Sequence, residues 1–178
     1  MQNFLLRFLF GKGLLKSTSY NRVRRYLMRS PRLQKIINAI SPRSEYIIQD
    51  VAVPVSRARE FLKFFQENIK INPVWNCPTR SPNESARYTM FDVNPQTLYI
   101  NFGFWDKVKS DKPAGHYNRL IEQKVTELGG HKSLYSESFY SQDEFWNIYD
   151  QTKYYKLKTK YDPNKILRDI YSKCTEQA

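Results

Sequence analysis

The sequence predicts an α+β fold, in which a ferredoxin-like antiparallel sheet is covered by helices on one face and preceded by a basic helical N-terminal arm. Three observations carry this prediction. A chain of 178 residues, 40% of them hydrophobic, is long enough to form one domain with its own core. From residue 45 onward, runs with the period of a strand alternate with runs of helical period. The positive charge is concentrated near the N-terminus.

Residues 1–44 form the predicted arm, with ten basic side chains and no acidic one. Within it, Ser30-Pro31 is typical of a helix start, and a short amphipathic helix is expected to end at Ser41-Pro42. An arm without acidic residues is typical of contact with an anionic membrane surface, a nucleic acid or an acidic partner, and a solvated basic face is the alternative. The second domain is predicted over residues 45–178, where 19 basic side chains nearly balance 17 acidic ones.

The second domain is predicted to begin with a strand and a helix. Residues 46–53 are rich in β-branched side chains and end at Pro54, which predicts a strand. Ser56 is the predicted N-cap of the next helix. That helix carries a single apolar stripe, formed by Ala58, Phe61, Leu62, Phe65 and Ile69.

Three further strands are predicted in the middle of the chain. Residues 74–77 form a short run between two prolines that is consistent with a strand. Residues 87–93 and 97–104 are separated by Asn94-Pro95-Gln96 and predict a hairpin, because apolar and polar residues alternate in the second run. Its aromatic side chains suit a core, and an RNA-stacking platform formed by Tyr99, Phe102, Phe104 and Trp105 is the weaker interpretation.

The last third predicts one more strand and several helices. A helix is expected over residues 117–128, ended by Gly129-Gly130, and a strand over residues 132–139. Ser141 and Glu144 have the spacing of a capping box for the next helix. Asp162-Pro163 predicts the start of the last helix, whose buried stripe would be Ile166, Leu167 and Ile170.

Chemical motifs are few. The sequence contains no glycine-rich phosphate-binding loop, no nucleophile elbow and no zinc-protease motif. Cys77, Cys174, His116 and His131 are widely separated, so we expect neither a metal site nor a disulfide framework, and a reducing compartment fits best. The apolar run near the N-terminus is interrupted by Arg7 and is too short to cross a bilayer. We therefore expect a cytoplasmic protein, or one that is peripheral on the cytoplasmic side of a membrane.

Several motifs occur in one order along the chain: QDVAVP (49–54), PVWNCP (73–78), LYINFG (98–103), LY (134–135) and EFW (144–146). In this order they resemble the C-terminal part of the Δ24-sterol reductase (24-dehydrocholesterol reductase) family of FAD-linked oxidoreductases. The resemblance implies the cap domain of a vanillyl-alcohol-oxidase-type flavoenzyme. It also implies that FAD is bound mainly by another domain, encoded upstream in the same gene or carried by a separate chain.

By this resemblance the reaction is the reduction of a C=C bond in a sterol or lipid-like substrate, with NADPH as the electron donor. Tyr135 matches a tyrosine of the family, and the resemblance implies that it lines the substrate site or donates a proton. Glu137 matches an acidic position and would share a strand face with Tyr135. Trp75 and Cys77 would line the substrate pocket. The chain would be inactive without an FAD-binding domain.

Two departures from the family and two alternatives accompany this interpretation. Related cap domains often carry a lysine where this chain has Ser138, so a role for that lysine does not transfer, and the loop of residues 81–85 is short. One alternative is a small RNA- or membrane-binding module that uses the basic arm, although nucleic acid is not the expected partner. The other is an inactive gene remnant.

Overall fold

The centre of the fold is a four-stranded sheet with two helices, in the order strand-helix-strand-strand-helix-strand. The computed structural model describes residues 43–175 and, before them, Arg29 and Pro31. The arm, including the helix predicted within it, otherwise lies outside the described residues. The central elements are β1 (Ser44–Pro54), α1 (Ala58–Asn68), β2 (Trp75–Thr79), β3 (Tyr99–Lys109), α2 (His116–Glu127) and β4 (His131–Lys132). They are followed by α3 (Gln142–Ile148), α4 (Gln151–Tyr161) and α5 (Ile170–Thr175).

The sheet has the strand order β2-β3-β1-β4, and all three pairings are antiparallel. Each helix that follows β1 or β3 therefore connects two strands that are not neighbours. This order is the split β-α-β arrangement of ferredoxin-like domains. The predicted α+β class and antiparallel sheet are confirmed, and the described residues contain no fifth strand in this sheet.

The main core lies between one face of the sheet and helices α1 and α2. Alternate residues of β1 and β3 point to this side, and they include the fully buried Val51 and Phe104. The ring centroids of Phe65 and Phe104 are 4.5 Å apart, and those of Phe61 and Phe102 are 4.9 Å apart. The predicted apolar stripe of α1 is thus confirmed. Phe102 and Phe104 lie on the helix side whereas Trp105 lies on the other side, so the four rings do not form one RNA-stacking platform.

The predicted strand over residues 87–93 is wrong. This segment contains a short 3-10 turn, Thr89–Phe91. Its backbone hydrogen bonds are local, from the Phe91 N–H to the Tyr88 carbonyl and from the Val93 N–H to the Phe91 carbonyl. β3 already has β1 on one side and β2 on the other, so neither edge of β3 is open to a further strand.

The predicted strand over residues 132–139 is also wrong beyond its start, because β4 ends at Lys132. The backbone groups that a strand would pair are bound elsewhere. The Phe139 N–H donates to the Glu122 carboxylate, and the Ser138 N–H donates to the Cys174 carbonyl. These backbone groups therefore bind the buried Glu122 side chain and a carbonyl of α5, and they do not pair with a neighbouring strand.

Three predictions concerned helix ends. The Ser141–Glu144 capping box is confirmed. Ser56 does not cap α1, because it lies within a 3-10 turn, Val55–Arg57, that leads directly into the helix. The predicted helix start at Asp162-Pro163 is wrong.

Instead the Asp162 carboxylate accepts the N–H groups of residues 166 and 167, and Lys165 adopts a left-handed conformation with φ 53°. This loop leaves Ile166 and Leu167 exposed, not buried.

Helix α4 was not predicted from the sequence. Its N-cap is Asp150, whose carboxylate accepts the Lys153 N–H. The helix has no fully buried residue, so it lacks the apolar stripe by which the other helices were predicted. In the described part of the chain, no helix is both long and apolar enough to cross a membrane. The same part has no cluster of His, Cys, Asp or Glu side chains that could hold a metal ion.

Candidate functional site

The candidate site lies on the sheet face that points away from α1 and α2. Three aromatic side chains there are about half exposed: Trp75 (51%), Trp105 (52%) and Tyr135 (55%). Tyr46 and Ile48 of β1 are also exposed on this face. We call these five residues, with Asp50, the open face. A folded domain seldom leaves so many large apolar side chains together in water unless they bind something.

Strand register places two of the predicted site residues, Trp75 and Cys77, on this face. In the antiparallel pairing, Trp75 is opposite Gly103, and Gly103 is opposite Asp50. Cys77 is two residues further along β2 and is partly buried. The register thus places Trp75 on the open face and Cys77 at its edge. Tyr135 and Glu137 follow β4 outside the strands, and they line a cavity with Tyr46 and Ile48.

Gly103 allows a close approach that the open face depends on. A Cβ atom at this position would lie 2.6 Å from the Trp105 ring and would also collide with the Asp50 carboxylate. The indole can lie across the strand only because residue 103 has no side chain. A larger residue at position 103 would push both Trp105 and Asp50 out of place.

Tyr135 is held by Trp105. The indole N–H of Trp105 donates a hydrogen bond to the Tyr135 hydroxyl oxygen at 3.1 Å. Burial raises the pKa of the Tyr135 phenol, the nearby Asp50 carboxylate acts in the same direction, and the Trp105 hydrogen bond opposes them. A phenol with a raised pKa stays protonated at neutral pH, so Tyr135 is able to donate a proton. Within the described part of the chain, Asp50 Oδ1 is buried without a hydrogen-bond partner.

Two cavities lie along the open face. One, of about 230 Å³, is lined by Tyr46, Ile48, Tyr135 and Glu137, together with Asn118 and Ser136. Although residues 133–139 do not form the predicted strand, Tyr135 and Glu137 both line this cavity. The other, of about 320 Å³, lies under the loop of residues 80–93 and has mostly apolar walls that include Ala52 and Tyr99. Ile48 lines the first cavity and Ala52 lines the second. These two residues are four positions apart on β1, or about 13 Å.

A buried ion pair holds the segment of residues 133–139, which carries Tyr135. The Lys132 ammonium lies 2.6 Å from the Glu122 carboxylate, and both side chains are fully buried. Glu122 also accepts the Ser138 hydroxyl and the Phe139 N–H, while Lys132 donates to the Glu137 carbonyl. Burial lowers the pKa of Lys132, and the Glu122 carboxylate opposes that shift. The pair thus connects α2 and β4 to the Tyr135 segment.

A second, exposed pair fixes the end of the same segment. The Arg119 guanidinium donates to the Phe139 carbonyl at 2.7 Å and to the Glu144 carboxylate at 2.6 Å. The Arg119 hydrogen bond, helped by the Ser141 N–H, lowers the pKa of Glu144 to about 2.

Replacing Glu144 by glutamine is expected to lower stability in a pH-dependent way. Because the folded-state pKa lies below the unfolded value, the carboxylate stabilises the fold above about pH 4.3, and this contribution is lost as the pH falls toward 2. The pair is partly exposed, so we expect a loss of only about 1 kcal/mol at pH 7. Urea unfolding of Glu144→Gln at pH 7 and near pH 2 measures it, with Asp143→Asn as control. A loss of the same size at both pH values would contradict this assignment.

Trp105 and Asp50 were not predicted from the sequence as site residues. Asp50 had a signal, because it is the one charged residue in the strand-like run at positions 47–53. Trp105 also had a signal, since it follows Gly103 by two and must share its face. The contact between Trp105 and Tyr135 spans 30 residues of sequence and had no signal.

Comparison with known proteins gives one consistent result. The chain is 27% identical over 134 residues to the human Delta(24)-sterol reductase, which covers 75% of this chain and 26% of that protein. It is 25% identical over 138 residues to the mouse protein of the same name, with the same coverage. The pea Delta(24)-sterol reductase is 21% identical over 194 residues, covering 96% of this chain and 32% of that protein.

These similarities confirm the resemblance to Δ24-sterol reductases over about three quarters of the chain, at low identity. The chain spans about a quarter of the length of the curated relatives it matches. No family model matches the chain. No solved structure matches it either.

Proposed function

We propose that this chain is the cap and substrate-binding portion of an FAD-dependent oxidoreductase. The reaction is the reduction of a C=C bond in a sterol or lipid-like substrate, with NADPH as the electron donor. The similarity to proteins named Delta(24)-sterol reductase supports an oxidoreductase of this type. The α+β fold with one uncovered sheet face is compatible with a cap of the vanillyl-alcohol-oxidase type.

The open face is the observation that carries the proposal. A sterol is a long, rigid, largely apolar molecule, and a binding surface for it must be apolar, extended and equipped with few polar groups. The open face offers Trp75 and Trp105 as flat contact surfaces and a cavity at each end, and the cavity beside Ala52 and Tyr99 has mostly apolar walls. Polar side chains border both cavities: Tyr135, Glu137, Asn118 and Ser136 line one, and Thr79, Arg80 and Ser81 line the other.

The residues of the open face have distinct proposed roles. When bound, the flavin supplies the hydride. Tyr135 holds the proton that reduction of a C=C bond also requires, at its hydroxyl oxygen. Trp105 orients this hydroxyl through its hydrogen bond, and Glu137 lies in the same cavity. Trp75 and Cys77 contact the substrate from β2.

The residues of this chain suit one side of a flavin site but not the whole of it. The half-exposed aromatic face fits a substrate held against a flavin ring, whereas the sequence has no glycine-rich loop to cradle the cofactor's phosphates. We propose that an FAD-binding domain, on the same polypeptide or on a separate chain, supplies that part. The chain alone is then inactive, and its location is cytoplasmic or peripheral on the cytoplasmic side of a membrane.

Sterol binding by the open face is testable without the flavin. A Δ24-unsaturated sterol delivered from cyclodextrin is expected to quench the tryptophan fluorescence of the purified chain in a saturable way. Trp105→Ala should weaken this binding about tenfold or more, because a large aromatic contact is lost. Trp146→Phe is the control, since Trp146 packs against Phe145 in a separate aromatic cluster. Equal binding by the Trp105→Ala variant would contradict the assignment of the open face.

A further inference from the structure

A second exposed apolar surface lies far from the open face in sequence, at the end of α4 and in the loop that follows it. Ile166 is 79% exposed and Leu167 is 68% exposed, and the exposed Leu157 and Tyr161 lie one turn apart on α4. We call these four residues the apolar tip. Two adjacent aliphatic side chains this open to water cost free energy unless another surface covers them.

The loop that carries Ile166 and Leu167 is held in a defined shape. The Asp162 carboxylate accepts the Ile166 N–H at 2.8 Å and the Leu167 N–H at 3.1 Å. The Lys158 ammonium pairs with the same carboxylate and donates to the Leu167 carbonyl at 2.7 Å. Asp162 itself is buried. Because these hydrogen bonds already order the backbone of residues 166 and 167, binding through their exposed side chains costs no further backbone entropy.

The exposed charge around the apolar tip is mostly positive. Helix α4 contains four lysines and no acidic residue, and Lys165 adds a fifth positive charge in the loop. Lys153, Lys156, Lys160 and Lys165 are exposed. Asp162 is buried in its pair with Lys158, and the Asp169 carboxylate accepts the Ser172 hydroxyl. The tip is therefore an apolar surface flanked by exposed lysines.

We propose that the apolar tip and its lysines bind the surface of an anionic lipid bilayer. The aliphatic side chains would enter the boundary between headgroups and acyl chains, while the lysines would contact lipid phosphates and carboxylates. An acidic protein partner would satisfy the charges, but a bilayer also accepts protruding aliphatic side chains without a matching pocket. This inference does not rest on the proposed reductase function. It also concerns a surface other than the basic arm.

The experiment measures binding of the full chain to vesicles of phosphatidylcholine alone and of phosphatidylcholine mixed with phosphatidylserine. The double variant Ile166→Ser, Leu167→Ser is expected to bind the anionic vesicles about tenfold more weakly. The double variant Lys156→Glu, Lys160→Glu should lose about tenfold or more at low salt. All four residues are exposed, so circular dichroism and thermal unfolding should match those of the unchanged chain.

Matched controls separate the tip from general charge and hydrophobicity. Arg59→Glu with Lys63→Glu makes the same charge change at the same four-residue spacing on α1, and Val55→Ser removes an exposed aliphatic residue elsewhere. Both controls should bind like the unchanged chain. Hydrogen exchange with anionic vesicles should protect amides of residues 151–168.

Three results would overturn the proposal. They are the absence of binding to anionic vesicles, equal losses in the tip and control variants, and exchange protection confined to other parts of the chain such as the arm. Sterol binding by the open face is measured separately, so failure of either proposal is distinguishable from failure of the other.

Discussion

Replacing Lys132 by methionine is expected to lower the free energy of unfolding by about 3–5 kcal/mol. Stability is lost because Glu122 is fully buried, and without Lys132 its carboxylate has no counter-charge. The Ser138 hydroxyl and the Phe139 N–H would still donate to Glu122, but neither carries a charge. The variant should therefore also show raised hydrogen exchange in the segment of residues 133–139.

Guanidinium unfolding followed by circular dichroism measures this loss. Lys63→Met is the control, because Lys63 is exposed on α1 and its replacement should change stability by less than about 1 kcal/mol. The double variant Glu122→Gln, Lys132→Met should recover part of the loss, since it removes both charges but keeps an acceptor for Ser138 and Phe139. A double variant less stable than Lys132→Met alone would show that the ion pair is not the cause.

Replacing Tyr135 by phenylalanine is expected to slow substrate turnover of the assembled flavoenzyme about 100-fold or more. The change removes only the hydroxyl group, so the ring can keep its place in the cavity while the proton donor is lost. The Trp105 indole N–H loses its acceptor at the same time. Because the phenol acts on the substrate and not on NADPH, flavin reduction by NADPH should keep its rate, and flavin reoxidation by the substrate should slow.

This measurement uses the chain joined to, or mixed with, its FAD-binding domain and follows flavin absorbance in a stopped-flow instrument. Tyr117→Phe on α2 is the matched control, since it makes the same chemical change on the other side of the sheet. If Tyr135→Phe and Tyr117→Phe reoxidise equally fast with substrate, Tyr135 is not the proton donor. If both half-reactions slow together in Tyr135→Phe, its role is structural.

Local pattern was enough to predict several elements and the fold class. β1 and β3 follow from β-branched and alternating residues, α1 and α2 from apolar stripes, and the start of α3 from its capping box. These elements were predictable because each forms its hydrogen bonds within itself or with a neighbouring strand. The motifs that carry the resemblance to Δ24-sterol reductases were likewise readable without a structure.

The failures share a physical reason. In residues 87–93 and 133–139 the residues have strand propensity, yet their backbone groups bond locally or to distant side chains. Similarly, the Asp162 carboxylate holds a loop where Asp-Pro suggested a helix start. In each case a backbone N–H group has a partner other than the one that strand propensity or the Asp-Pro pattern indicates.

The same distinction applies to the candidate site. The sequence by itself determined that Trp75, Cys77, Tyr135 and Glu137 deserve testing, because they match a family pattern. Only the tertiary structure decided that they share one surface with Trp105 and Asp50, since strand register and the buried Glu122–Lys132 pair set their positions. Long-range pairing has no local signature in a sequence, because its free energy is gained only when segments far apart along the chain meet.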